Sequence, residues 1–359
     1  MRNEPGAPSA IAVEAAPSVV APSVVAPSVV APLPHPPELP GSSEARSETR
    51  VLDCTIRDGG LMNRHRFEDE VVRAVYLACA AAGIDYMEIG YRASRRDVAL
   101  REHGCWKFCR EEDIRRIVGD RPSGPKLSVM ADAGKCDYRD DISPKKDSVV
   151  DLVRVACYHH QIPLALDMLE HARDMGYETT ANLMAVSTLS ESELDAALDL
   201  LADSKAEVVY VVDSFGALHG GQVPDLVRKY LGRLAGSGKH VGIHAHNNLQ
   251  LAYANTIEAA LAGATHLDAT MAGLGRGAGN CPMELLLGFL RDPKYDLRPV
   301  LDCVERTIEP IRGDLKWGFD LPYMLTGLFN QHPRAAIEFN AATVRGDIGS
   351  FFETVTESR

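Results

Sequence analysis

The chain has 359 residues, 45% hydrophobic, 25% charged and 6% aromatic, which excludes fibrous and membrane-spanning classes and leaves a soluble chain long enough to bury a substantial core. With 38 Lys and Arg against 50 Asp and Glu and no dense basic run, its net charge of −12 excludes a nucleic-acid partner. The eight cysteines include no C-x-x-C pair, which excludes a zinc knuckle and a disulfide framework and fits a reducing cytoplasm.

The first feature in chain order is a leader. Ten of the 21 prolines fall within the first 50 residues, with three tandem copies of Ala-Pro-Ser-Val-Val starting at Ala16, Ala21 and Ala26. A proline at every fifth position removes backbone donors and forbids a regular helix or central strand. Residues 1–48 therefore read as a disordered tether. They are not a signal peptide, since Met1-Arg-Asn-Glu is a poor basic n-region, and nothing in the chain nears the roughly 20 apolar residues that a bilayer requires.

From residue 49 onward, short apolar runs alternate with longer amphipathic stretches, the pattern of repeated βα units. The spacing predicts strands at 51–56, 86–91, 126–131, 149–156, 179–186, 208–212, 241–245 and 266–271. It predicts helices at 68–82, 162–175, 191–204, 222–234 and 249–262, several closed by a glycine such as Gly83, Gly176 or Gly263, with Ser190 and Glu193 as a capping box. Eight such units predict an α/β fold, a (β/α)8 TIM barrel over 49–292. An open doubly wound sheet would carry G-x-G-x-x-G where this chain has Asp58-Gly59-Gly60. Residues 293–359 read as a helical C-terminal extension, with a helix near 300–311 and an aromatic stretch at 317–333 packing beside the barrel mouth.

In such a barrel chemistry sits where strands end, because the βα loops converge on one mouth. Polar residues gather at those ends: Arg57 and Asp58, Glu88 and Arg92, Asp132 and Lys135, Asn182, Asp213 and Ser214, His244 and His246, and Asn280. In a strand, His244 and His246 at i and i+2 share one face, here the inward one. Two convergent imidazoles, with Asp58 as a carboxylate from strand 1, which closure sets one strand away from strand 7, suit a divalent cation with open positions, Mn²⁺, Mg²⁺, Co²⁺ or Fe²⁺ ahead of structural Zn²⁺. The alternative is a pair of ordinary buried histidines. The run Gly273-Leu-Gly-Arg-Gly-Ala-Gly-Asn280 offers backbone N–H groups to an oxyanion, carboxylate or phosphate, or else a tight crossover.

Asp53-Cys-Thr-Ile-Arg-Asp-Gly59, His244-Ala-His-Asn-Asn-Leu249 and Ala272-Gly-Leu-Gly-Arg-Gly-Ala-Gly-Asn280 together resemble the signatures of the metal-dependent aldolase/lyase/Claisen-synthase barrels. That group contains 4-hydroxy-2-oxovalerate aldolase, hydroxymethylglutaryl-CoA lyase and isopropylmalate synthase, and the wording here is most similar to the hydroxy-oxovalerate aldolase branch. The resemblance implies that Asp58, His244 and His246 bind the divalent metal, that Arg57 holds a 2-oxo acid and stabilises its enolate, and that Asn280 lies close to the metal. It implies a C–C lyase running aldol cleavage or formation with a pyruvate enolate. The substrates would be a 2-oxo acid and an aldehyde, and the protein a cytoplasmic homo-oligomer.

The chain departs from that pattern in three places. Where the aldolases carry a catalytic histidine after Arg-Asp-Gly, this chain has Leu61, leaving His65 as the substitute base, expected on the first helix turn facing solvent. Cys281 follows Asn280, where the lyase branch places its catalytic cysteine ahead of the asparagine, so Cys281 reads as structural. The region through which the aldolases bind a partner dehydrogenase is shortened, which argues against channelling. Asn182 and Tyr323 are the further substrate-binding candidates. Tyr323, His332 and Arg334 form a lid over the mouth or, by default, a packing or dimer surface. Two rival readings stand beside the aldolase: a Claisen-type synthase joining an acyl-CoA to a 2-oxo acid, and a barrel without catalysis that serves as a binding subunit.

Overall fold

The computed structural model describes residues 49–120, 122–344 and 346–357, so the leader expected at 1–48 lies outside the described residues. Eight parallel strands close into a barrel in chain order. They are β1 Arg50–Asp53, β2 Tyr86–Tyr91, β3 Lys126–Asp132, β4 Leu152–Cys157, β5 Glu178–Leu183, β6 Val208–Asp213, β7 His240–Ala245 and β8 His266–Ala269. β8 pairs back onto β1, with His266 beside Arg50 and Ala269 beside Asp53, so the sheet has no open edge.

Helices α1 Asp69–Ala82, α2 Glu111–Val118, α3 Ile162–Asp174, α4 Glu191–Ala202, α5 Gln222–Arg233, α6 Ala252–Leu261 and α7 Met283–Leu290 surround the barrel. Their apolar stripes meet the outward residues of the strands in one continuous core. The Ser190–Glu193 capping box forms, with Ser190 N–H donating to Glu193 Oε2 at 2.8 Å. Helix α2 escapes the sequence pattern because it is short and its first turn is three acids, Glu111, Glu112 and Asp113. Strand 1 ends earlier than predicted. The Asp53 carboxylate accepts Thr55 N–H at 3.1 Å and Thr55 Oγ1–H at 2.6 Å, which turns the chain into a helical turn, Thr55–Gly59.

Inside the ring, the even-numbered strands β2, β4, β6 and β8 contribute Glu88, Arg154, Tyr210 and Asp268. Arg154 touches the other three: Glu88 at 3.1 Å, Asp268 at 2.6 Å and the Tyr210 ring at 4.4 Å from its centroid. Barrel interiors fill in layers drawn from alternate strands, usually with branched apolar side chains; here one layer is charged and almost wholly buried. Gly242, paired with Tyr210 across β6–β7, makes room for that ring, because a Cβ there would stand 2.6 Å from it.

The C-terminal extension is helical, with α8 Leu297–Cys303 against α1, then α9 Leu321–Leu328, α10 Arg334–Ala341 and α11 Ile348–Glu357. The last three form a small second core that includes Ala278 of the glycine run. The extension is thereby docked onto the loop after β8.

Candidate metal centre

The helical turn after β1 buries Arg57 and Asp58 at the mouth, 4% and 0% exposed. β7 delivers His244, and His246 follows just beyond it, bridged to Asn280. The two imidazoles lie 5.1 Å apart at 84°. Asp58, His244 and His246 each present a ligand atom, all within 4.8 Å of one another and all buried. The sequence-predicted trio is thus brought to one point.

The layer beneath orients it. Asp268 Oδ2 lies 2.9 Å from His244 Nδ1, which fixes the ring proton on Nδ1 and turns the Nε2 lone pair toward Asp58 Oδ2, 3.4 Å away. Burial opposes protonation of His244, but the neighbouring carboxylates of Asp268 and Asp58 outweigh it and raise its pKa. Burial likewise opposes the charge on Asp58, yet Arg57, His246 and His244 hold its carboxyl well below the usual range. Asp268 is depressed to about 2, with Arg154 and His244 overcoming burial. Burial, aided by Arg276, pushes His246 down, so its imidazole is neutral and able to ligate.

This donor set fits a divalent cation: one carboxylate, two imidazoles, and two buried polar atoms beside them, His246 Nδ1 and Asn280 Oδ1, without a hydrogen-bond partner among the described residues. A second trio, Cys54, His244 and Asp268, shares His244. Burial pushes the Cys54 thiol far above its ordinary value, and Asp268 is committed to Arg154 and His244, so this trio is the support of the first.

Arg57 spans both layers. Its Nη1 pairs with Asp58 and its Nε donates to Glu88 Oε2 at 2.6 Å, while Nη2 is buried with no hydrogen-bond partner among the described residues. The glycine run serves this site directly. Arg276 N–H donates to Asp58 Oδ1 at 2.8 Å, and Gly275 lacks the Cβ that would overlap Asn280 Oδ1 and stand 3.0 Å from Asp58 Oδ1. The loop's N–H therefore holds a protein carboxylate, where the sequence left a bound oxyanion or phosphate open.

Above the centre opens a cavity of about 450 Å³, lined by Arg57, Asp58, Leu61, Tyr91, Lys107, Asp132, Lys135, Asn182, His244, His246, Arg276, His332 and Arg334 among others. Asn182 is 1% exposed and accepts from Thr180 Oγ1 at 2.8 Å. Asn280 sits with Nδ2 3.0 Å from His244 Nε2. Two expectations are corrected. His65 does not face solvent: it is 1% exposed, packed on Gly60 and edge-on to Tyr91 at 5.2 Å, behind the cavity lining. Burial pushes its pKa down to about 2. His332 and Arg334, read by default as a packing surface, line the mouth. Tyr323 lies in an adjoining cavity with Met62, Gly277 and Trp317. Cys281 is fully buried, and burial pushes its thiol up to about 12.

Sequence reasoning missed Arg154, Asp268, Lys107 and the part played by Arg276. One signal was available: Arg154 stands alone in Leu-Val-Arg-Val-Ala-Cys, and a charge inside a fully buried strand demands a partner.

The HMGL-like family model matches residues 48–303. A 4-hydroxy-2-oxovalerate aldolase of Mycobacterium ulcerans is 32% identical over 267 residues, 73% of this chain and 76% of that protein. One from Rhodococcus jostii is 33% identical over 267 residues, 73% and 78% of the two chains. Among solved structures, the N-terminal domain of a candidate aldolase from Bacteroides vulgatus superposes with a TM-score of 0.71 at 28% identity, covering 85% of this chain and 99% of that one. An HMG-CoA lyase from Brucella melitensis shares the fold, with a TM-score of 0.59 at 17% identity over 74% of this chain and 99% of that one. Among the described residues no helix is long and apolar enough to cross a membrane. The chain therefore belongs to the HMGL-like family and is an enzyme of the aldolase/lyase type.

Proposed function

We propose that this barrel is a divalent-metal-dependent aldolase that forms and cleaves the C3–C4 bond of 4-hydroxy-2-oxo acids through a pyruvate enolate. The observation that carries the reading is the buried trio Asp58, His244 and His246 with the unpartnered Arg57 Nη2 beside it. The names of the relatives from Mycobacterium ulcerans and Rhodococcus jostii support it.

Asp58, His244 through Nε2, and His246 would hold Mn²⁺ or Mg²⁺. Such an ion supplies Lewis acidity toward the keto oxygen of a 2-oxo acid. Arg57, fixed by Asp58 and Glu88, aims its free Nη2 at the charge that develops on that oxygen, a preorganised donor in a water-poor site. Asn182 orients the acid from the wall, and Asn280, held against His244, acts beside the trio. Asp132, at the end of β3 and 3.4 Å from Lys135, is the lining carboxylate outside the trio; it takes the C4 hydroxyl proton in cleavage and returns it in condensation. His65, behind Tyr91, has no direct contact with substrate in this scheme.

The test follows the methyl protons of pyruvate in D₂O by NMR, with Mn²⁺-loaded protein. Exchange that needs the metal and disappears in His244→Ala is expected. No exchange in protein shown by elemental analysis to carry the metal would sink the reading.

A further inference from the structure

Beyond the trio, the mouth cavity is more cationic than a three-carbon 2-oxo acid requires. Its wall carries Lys107, Lys135, Arg276 and Arg334 against one further carboxylate, Asp132, in a chain whose net charge is −12. Such local concentration of one sign focuses a field on whatever occupies the cleft.

Lys107 is the informative member. It is 5% exposed, its ammonium lies 3.7 Å from the centroid of the Tyr91 ring, and it makes no hydrogen bond or ion pair among the described residues. A buried ammonium without an ion pair is costly to a fold: burial lowers the Lys107 pKa and Asp132 only partly offsets it, so an anion that arrives with the ligand would complete its surroundings. The Arg334 guanidinium also has no partner there, while Arg276 is steadied by its hydrogen bond to the Ser214 carbonyl. His332 Nδ1 accepts the Arg334 N–H at 3.1 Å, which leaves its proton on Nε2 as one more donor. Burial, then the facing Arg276, Arg334 and Lys135, push His332 down to about 4; all four residues line the cavity.

We propose that the acceptor half of the substrate carries its own anionic group, a carboxylate or a phosphate, remote from the bond that is cleaved, and that Lys107, Arg276 and Arg334 bind it. The inference rests on the aldolase reading above: pyruvate occupies the end formed by Arg57 and the trio, and the rest of a cavity of about 450 Å³ belongs to the acceptor. In cleavage the C3–C4 bond breaks and its electron pair stays on C3 as the enolate. The C4 hydroxyl loses its proton and becomes the aldehyde carbonyl, and the remote anion departs unchanged on the aldehyde.

The experiment compares aldol formation from pyruvate with acetaldehyde, succinic semialdehyde and glycolaldehyde phosphate, using Mn²⁺-loaded protein. At least one anionic acceptor should exceed acetaldehyde in kcat/KM by about tenfold, the factor one charge-assisted hydrogen bond supports; which of the two wins separates carboxylate from phosphate. Lys107→Met and the rim variant Arg334→Gln should each erase most of that preference, and Lys107→Met should melt no lower than the parent, since it removes an unpaired buried charge. Equal kcat/KM for all three acceptors with intact pyruvate exchange overturns the inference and leaves the aldolase reading standing. Absent exchange overturns that reading instead, and calorimetry then decides: 2-oxoglutarate binding about tenfold tighter than pyruvate, with the advantage lost in Arg334→Gln, supports the anion site, and equal affinities reject it.

Discussion

Asp268 shows how one inward carboxylate sets the chemistry of a neighbour. Its Oδ2 meets both Arg154 Nη2 and His244 Nδ1, so His244 is locked in the tautomer that frees Nε2. Asp268→Asn offers an amide that can present its N–H₂ to the ring and loosen that choice. Metal affinity should fall by about 10- to 100-fold with the fold retained, measured by competition against a chelating dye; unchanged affinity would show that the ring needs no support. Arg154 is the structural counterpart. Arg154→Met leaves buried Glu88 with Arg57 alone and buried Asp268 with His244 alone, and breaking such a network costs about 3–5 kcal/mol, readable as a lower urea midpoint. Trio residues were legible because histidines two apart in a strand and an acid after strand 1 have few other uses. Arg154 and Asp268 were not singled out, because each is one polar letter in an apolar run and its meaning depends on which strands become neighbours around the ring.

Among the elements, the glycine run after β8 does the most with the least side chain. It crosses from β8 to the turn after β1, donates Arg276 N–H to Asp58 and brings Asn280 to His244. Gly275→Ala should therefore injure the site far more than the fold, since the added Cβ overlaps Asn280 and crowds Asp58. A loss of metal affinity with little change in melting temperature is expected, and equal losses of both would argue that the loop is merely structural. On β7, Gly242→Ala should act the other way. It drives a methyl into the Tyr210 ring, an overpacking of about 1–3 kcal/mol, and affects the centre only through Arg154. Strands and barrel helices were readable from periodicity because each buries one stripe or face. The packing of 317–333 beside the mouth was expected too, but not its means: α9, α10 and α11 share a small core with Ala278, a tertiary fact with no local pattern.

At the scale of the whole molecule, buried ionisable groups make stability depend on pH in opposing directions. Burial, with His240 and Arg50 adding to it, depresses His266 to about 3. A histidine lowered in the fold stays neutral while the unfolded chain binds a proton below about 6.5, so stability falls as pH drops from there toward 3. Burial raises Asp213 to about 6; the fold then holds a proton that the unfolded chain releases above about 4, so this group favours the fold as pH falls from 6 to 4. His266→Asn isolates the first effect. Between pH 6 and pH 4 the parent should lose stability relative to the variant by up to about 1.4 kcal/mol per pH unit, followed by urea titrations at fixed salt. Parallel curves would mean that His266 titrates normally in the fold.

The seam where β8 meets β1 is also where the centre sits, and this has a consequence for synthesis. Asp58 leaves the ribosome early, and the N–H that fixes it belongs to Arg276, 218 residues later, which is roughly ten to forty seconds of translation. A nascent chain that ends before His244 thus holds an isolated acid where the finished protein brings three candidate ligands together. On the proposed metal reading, firm occupancy by the ion would report that translation has run through the last strand and on to Arg276, and a truncated product ending before it would lack that support.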